Sequence, residues 1–165
     1  MSLRKRYPLE TLLKLREHRT EAARQVLLEK QRQTQAARDV CTNIQGEIDH
    51  LRQERGHHRA QLLAPPPSGI PWPQALEQRE RHIDHLAELA VAAQGRLKAA
   101  EDALRQAEQA QEEARLAYFR ARSRQEALEK RRDVWRRELR AWESRREEAA
   151  AEELMNGRRS PLISS

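Results

Sequence analysis

Aromatic residues make up only 4% of this 165-residue sequence, and Cys41 is its sole cysteine. One thiol excludes an intramolecular disulfide. No apolar run approaches the roughly 20 residues that span a membrane. The basic opening MSLRKRYPLE is not followed by the apolar segment of a secretory signal. These absences predict a soluble, cytoplasmic chain without direct membrane insertion.

The motifs of the common enzyme classes are also missing. We find no nucleotide-binding glycine loop, no nucleophile elbow and no zinc-type pair of cysteines. Four histidines, His57, His58, His82 and His85, are expected to lie near one another, and we interpret them as exposed polar residues rather than as a metal site. The sequence therefore predicts no catalytic residues, no cofactor and no metal.

What the chain does contain is charge and strong helix formers. Charged residues make up 35% of it, mean hydropathy is -1.01, and the apolar residues are mostly Ala and Leu. Composition of this kind is typical of long helices, with intrinsic disorder as the competing interpretation. The two signs of charge are interleaved, which favours pairs three and four residues apart on a solvated helix face. The net charge of +6 suits an acidic partner without naming one.

Five of the seven prolines fall within residues 64–73. Proline removes a backbone donor and keeps the preceding residue out of the helix. We therefore predict an all-α protein, a two-helix antiparallel coiled-coil hairpin with a longer second helix. The expected parts are a helix over 8–63, a loop over 64–72, a helix over 73–155 that ends at Asn156-Gly157, and a flexible tail over 156–165. The alternative is a linker between two helices that oligomerise separately.

Each predicted helix carries an apolar seam. In the first helix it is irregular, and its members are Leu9, Leu12, Ala23, Val26, Ala37, Val40, Ile44, Ile48, Leu51 and Leu62. In the second helix, steps of three and four alternate over the whole length, which predicts a left-handed coiled coil. Its members are Leu76, Arg79, Ile83, Leu86, Ala90, Ala93, Leu97, Ala100, Leu104, Ala107, Gln111, Ala114, Tyr118, Ala121, Gln125, Leu128, Arg132, Trp135, Leu139, Trp142, Arg146 and Ala149.

The unequal lengths of the helices predict an unpaired end. At 1.5 Å per residue they would measure roughly 80 and 120 Å, and folding at the loop sets Ile48 near Ala90 and Leu9 near Leu128. Beyond about Lys130 the second helix then has no partner within the chain. Its seam nevertheless continues with Trp135, Leu139 and Trp142, among the arginines 131, 132, 136, 137 and 140. Trp and Arg often anchor interfaces, so we predict a protein-binding end. The alternatives are that residues 1–8 cover this strip or that the hairpin self-associates through it.

The stretch YPLETLLKLREHRTEAARQVLLEKQRQ, residues 7–33, resembles the FliJ/YscO (SctO) family of coiled-coil stalk proteins from flagellar and type III secretion export machines. The similarity lies in an aromatic-x-Leu-Glu-x-Leu-Leu-x-Leu-Arg-Glu opening followed by Glu-Ala-Ala. The layout of a shorter helix, a loop and a longer helix with a basic, Trp-bearing end also resembles that family.

The resemblance implies a noncatalytic stalk at the cytoplasmic face of a bacterial secretion apparatus. Such proteins insert the paired ends of the hairpin into a hexameric export ATPase, promote its activity, link it to the export gate and meet export chaperones. The ATPase-binding residues would be Arg131, Arg132, Trp135, Arg136, Arg137, Leu139, Arg140 and Trp142. Carry-over from the family places gate binding just after the loop, at Trp72, Leu76, Arg79, Ile83 and Leu86.

Other functions stay open at this point. A virulence secretion system is favoured over the flagellar version of the same stalk. A structural or scaffolding coiled coil, such as a homodimer, is the main alternative from another class. A nucleic-acid binder comes third, because Arg clusters neutralise phosphates but Glu and Gln are interspersed among these arginines. We therefore predict no nucleic-acid partner.

Overall fold

The computed structural model describes residues 6–159, and within that range it contains two helices and no strand. Helix α1 runs from Glu10 to Ala60 and helix α2 from Trp72 to Arg159. This confirms the all-α class and the two-helix coiled-coil hairpin.

The helix ends differ from the predicted ones by a few residues. Helix α1 begins two residues after Pro8, where the amide of Glu10 donates to the carbonyl of Tyr7 over 3.1 Å. The predicted end of α2 at Asn156-Gly157 is wrong, because the helix continues through both residues to Arg159. Glycine costs a helix only about 1 kcal/mol relative to alanine and does not by itself end one. The rest of the predicted tail, residues 160–165, lies outside the described residues.

The chain divides into two compact units, each pairing a stretch of α1 with a stretch of α2. Among the described residues, unit 1 comprises 6–25 and 116–159, and unit 2 comprises 26–115, including the loop.

Unit 2 holds the main apolar core. Its buried members Ile48, Leu51, Leu86 and Ala93 form one cluster, against which Ile44, Ala90 and Leu97 pack. The predicted approach of Ile48 and Ala90 is therefore confirmed. Ion pairs flank this unit on its surface: Glu47 with Arg96 over 2.7 Å, and Arg38 with Glu108 over 3.6 Å.

The seam of α2 is confirmed from Leu76 to Leu139, since every predicted position in that range is buried or half-buried. The seam of α1 is partly wrong. Leu12, Val26 and Val40 are exposed, whereas the next residue in each case, Leu13, Leu27 or Cys41, is buried or half-buried. The sequence pattern misled because polar residues occupy the true seam; its buried and half-buried positions also include Arg16, Thr20, Lys30 and Thr34.

Thr34 shows how a polar residue is accommodated in the seam. It is 1% exposed, and its hydroxyl lies 2.9 Å from the carbonyl oxygen of Lys30 and 3.2 Å from that of Ala107 on the facing helix. Burial of a hydroxyl is costly unless it is hydrogen-bonded, so this pairing favours one register of α1 against α2 in unit 2.

Candidate binding surfaces

A stretch of α2 near its end carries an excess of positive charge. Residues 131–146, called the basic segment here, contain seven arginines and three acidic residues. Several arginines elsewhere are paired with nearby carboxylates. One of them is Arg24, paired with Glu21, whose pKa falls to about 2 mainly because Arg24 and then Gln25 donate hydrogen bonds to it. Among residues 6–159, no ion pair involves an arginine of the basic segment. The positive excess of this segment is therefore not offset by ion pairs within residues 6–159.

The prediction that α2 lacks a partner beyond Lys130 is wrong at Trp135. The ring of Tyr7 lies 5.7 Å from the indole of Trp135, and the Tyr7 hydroxyl donates to the carbonyl of Leu128 over 3.3 Å. Tyr7 itself is buried and Trp135 is half-buried. Tyr7 therefore covers part of the indole, which agrees at this residue with the alternative that residues 1–8 fold over the strip. Residues 1–5 of that segment lie outside the described residues.

The exposed part of the strip begins after Leu139, which is half-buried. Trp142 is 46% exposed, and the guanidinium of Arg146 lies over its ring at 5.3 Å from the centroid. An exposed indole beside a stacked arginine is an amphipathic surface of the kind that anchors protein interfaces.

The other predicted ATPase-binding residues fall into two groups. The side chains of arginines 131, 136, 137 and 140 are exposed, so their charges are accessible. Arg132 is half-buried at a seam position, and its buried Nε has no hydrogen-bond partner among the described residues. Arg132 thus belongs to the packing of unit 1 as much as to its surface.

Two large apolar side chains are exposed at the loop of unit 2. The chain turns at Gly69, whose φ of 92° is in the region that glycine adopts readily. The amide of Ile70 donates to the carbonyl of Pro67 over 3.2 Å. Trp72, the first residue of α2, is 48% exposed, and Leu63 is 75% exposed.

Arg79 has a function in the fold that the sequence did not predict. Its Nη1 lies 2.7 Å from the carbonyl oxygen of Ala64, 2.9 Å from that of Leu62 and 3.3 Å from that of Gln61. The last carbonyls of a helix have no partner within the helix, and the helix dipole makes that end negative. The three carbonyls lie in the turn directly after Ala60, so Arg79 caps this extension of α1 and ties it to α2. The available signal was one arginine at an otherwise apolar seam position directly after the loop.

The structure consequently separates the predicted gate-binding residues. Ile83 and Leu86 are buried in the seam, and Leu76 is half-buried there. Arg79 is engaged by the loop carbonyls. Trp72 is the member of the set whose side chain is exposed.

Three of the four histidines that were expected to lie near one another do so, namely His57, His58 and His82. The rings of His58 and His82 meet edge to face at 4.5 Å, and His57 lies 5.7 Å from His58. Within residues 6–159 no group of three or more His, Cys, Asp or Glu side chains is arranged to hold a metal ion. No helix in that range has the length and apolar character needed to cross a membrane.

Comparison with known proteins decides the family. A family model described as YscO-like protein matches residues 4–157. The chain belongs to the YscO-like family. Among solved structures, this YscO-like chain is similar to a protein described as a YscO homolog, CT670 from Chlamydia trachomatis, with a TM-score of 0.71 and 20% identity over 95% of this chain and 96% of the other. No curated protein matches the sequence. Family and fold together support a stalk-like protein of type III secretion.

Proposed function

We propose that this YscO-like protein is a noncatalytic stalk and adaptor of a bacterial type III secretion export apparatus. In this proposal, unit 1 binds the hexameric export ATPase and promotes its activity. The loop of unit 2 binds the cytoplasmic domain of the export gate, and export chaperones are further partners. The protein acts at the cytoplasmic face of the apparatus.

The observation that carries the ATPase assignment is the exposed Trp142 within a segment of unpaired charge. A half-exposed indole offers apolar area for burial, and the surrounding arginines offer charge that steers an acidic partner and sets its register. Unequal contacts between one stalk and the subunits of a ring would bias their nucleotide states. This is a coupling free energy between sites, so the stalk needs no catalytic group.

The test of this assignment is a titration of the protein into its cognate hexameric ATPase, with ATP turnover and hexamer formation measured together. Stimulation of turnover with an increase in the hexamer fraction is the expected result. Turnover and assembly that do not change at any concentration of the protein would contradict the proposal.

The gate assignment depends on Trp72, because the other predicted gate residues serve the packing of unit 2. Substitution of Trp72 by Ala removes an exposed side chain, so helix content should be unchanged. Binding to the isolated cytoplasmic domain of the gate should weaken, while stimulation of the ATPase is retained. Val91→Ala is the matched control, since Val91 is 68% exposed on the same unit away from the loop. Equal gate binding by both variants would contradict the assignment.

A further inference from the structure

The outer part of α2 offers a helix face without a partner in the described chain. Trp142, Arg146 and Ala149 continue the seam of α2, and all three are exposed. We propose that a second copy of this chain binds here, with the two α2 helices antiparallel and Leu139 of each copy facing Trp142 of the other.

The charges that flank the seam carry this proposal. In a coiled coil, the positions beside the seam face the neighbouring helix and determine partner choice and orientation. Both flanks of the seam alternate in sign from one heptad to the next. One flank reads Arg131, Glu138, Arg145, Glu152, and the other reads Glu129, Arg136, Glu143, Ala150.

A parallel pair of copies is disfavoured by this pattern. In a parallel coiled coil each flanking residue faces the residue five positions later on the opposite flank of its partner. Arg131 would then face Arg136 of the second copy, and Glu138 would face Glu143. Like charges at these positions are destabilising, so the parallel arrangement is opposed at both layers.

An antiparallel pair brings residues of the same flank together, and its register decides the outcome. When Leu139 faces Trp142 of the second copy, Glu138 faces Arg145 and Arg136 faces Glu143. Because the arrangement is symmetric, each pair occurs twice, and Arg131 and Glu152 fall opposite each other further out.

Shifting one copy by one heptad in either direction places like charges opposite each other on both flanks. In one shifted register Arg145 faces Arg145 of the second copy, and Glu143 faces Glu143. In the other, Glu138 faces Glu138 of the second copy, and Arg136 faces Arg136. Of these three registers, the one that sets Leu139 against Trp142 is the one that places opposite charges together on both flanks.

Tyr7 limits the extent of this contact, because it covers part of Trp135 in the same chain. The pairing is therefore centred on residues 135–146, about 12 residues or roughly 18 Å of each helix. An interface of this size falls in the weak class, below about 1,200 Å². The dimer would bury Trp142, which the proposed function assigns to ATPase binding. In this one respect the inference rests on the proposed function: self-association and ATPase binding should exclude each other.

Two charge reversals test the interface by complementation, with sedimentation velocity of the full chain over a concentration series. Arg136→Glu and Glu143→Arg each turn both copies of one ion pair into like-charge pairs, and each should weaken self-association by about tenfold. A mixture of the two variants restores opposite charges at both positions, so a heterodimer should form. Arg137→Glu is the matched control, because residue 137 lies on the outer face of α2 and should leave self-association unchanged.

The self-association assay contains no ATPase, so its outcome is independent of the proposed function. A wild-type chain that sediments as a monomer at all concentrations would overturn the inference. Equal effects of Arg136→Glu and Arg137→Glu, or failure of the mixture to associate, would do the same. Addition of the ATPase then tests exclusion separately, and loss of the dimer on binding is the expected result.

Discussion

Replacement of Arg79 by Met should loosen the loop end of unit 2 specifically. Methionine keeps an unbranched stem that fills the half-buried seam position, but it removes the guanidinium that donates to the carbonyls of Leu62 and Ala64 over 2.9 and 2.7 Å. The end of α1 would then depend on water for these acceptors.

The expected loss follows from the geometry. A hydrogen bond from a charged donor contributes about 1.5–3 kcal/mol when buried, and a cation at a helix C-terminus adds about 0.3–1 kcal/mol. Arg79 is only half-buried, so hydrogen bonds from water to the freed carbonyls would offset part of these contributions. The net loss in the free energy of unfolding should therefore be about 2 kcal/mol. Arg81→Met is the matched control. Arg81 is exposed, and its pair with Glu77, four residues earlier, contributes only about 0.3–0.5 kcal/mol.

Urea unfolding followed by helical circular dichroism measures both variants. With a slope of 1–3 kcal/mol per molar, Arg79→Met should lower the midpoint by roughly 1 M, and Arg81→Met by much less. Hydrogen exchange adds a local readout, because the amides of Gln61, Leu62 and Ala64 close the turns after α1 and should exchange faster in Arg79→Met alone. Equal midpoints for the two variants, with unchanged exchange at these amides, would refute the capping function of Arg79.

Three further substitutions test the packing and the charge pairs. Ile48→Ala removes the most buried isoleucine of the unit 2 core and should cost about 2–5 kcal/mol in chemical unfolding. Tyr7→Phe removes the hydroxyl that donates to Leu128 and should cost about 1 kcal/mol, while the ring contact is kept. The hydrogen bond from Arg96 is the main reason that the pKa of Glu47 lies below its ordinary value of 4.5, and the charge of Arg96 adds to it. Its stabilising contribution is therefore present above pH 4.5 and is lost as pH falls through the lowered pKa, so Glu47→Gln should make stability less dependent on pH in acid.

Much of the fold could be predicted because its signals are local. The proline cluster separates the two helices because proline lacks a backbone donor and restricts the preceding residue. The regular steps of three and four in α2 identify its buried face as far as Leu139. The seam of α1 could not be assigned in the same way. There, exposed Leu12, Val26 and Val40 lie one position before the true seam, while polar residues occupy it. One of them is Thr34, whose hydroxyl lies close to a carbonyl oxygen of its own helix and to one of the facing helix.

The candidate surfaces depended on longer-range contacts. Whether Trp135 is covered depends on the path of the chain before Pro8. That path brings Tyr7 into contact with Leu128, which lies 121 residues later in the sequence. The capping by Arg79 depends on where the loop carbonyls point, which no sequence period encodes. The exposure of Trp72 and Trp142 could be predicted because each lies where a helix or its seam runs out of partners; their functions stay predictions.

The most direct test of the stalk function is ATP turnover by the cognate export ATPase in the presence of Trp142→Ala or Phe119→Ala. Both side chains are 46% exposed and lie in unit 1, but only Trp142 is within the basic segment. Loss of stimulation with Trp142→Ala and retention with Phe119→Ala is the predicted result. Full stimulation by Trp142→Ala would contradict the claim that this end of α2 binds the ATPase.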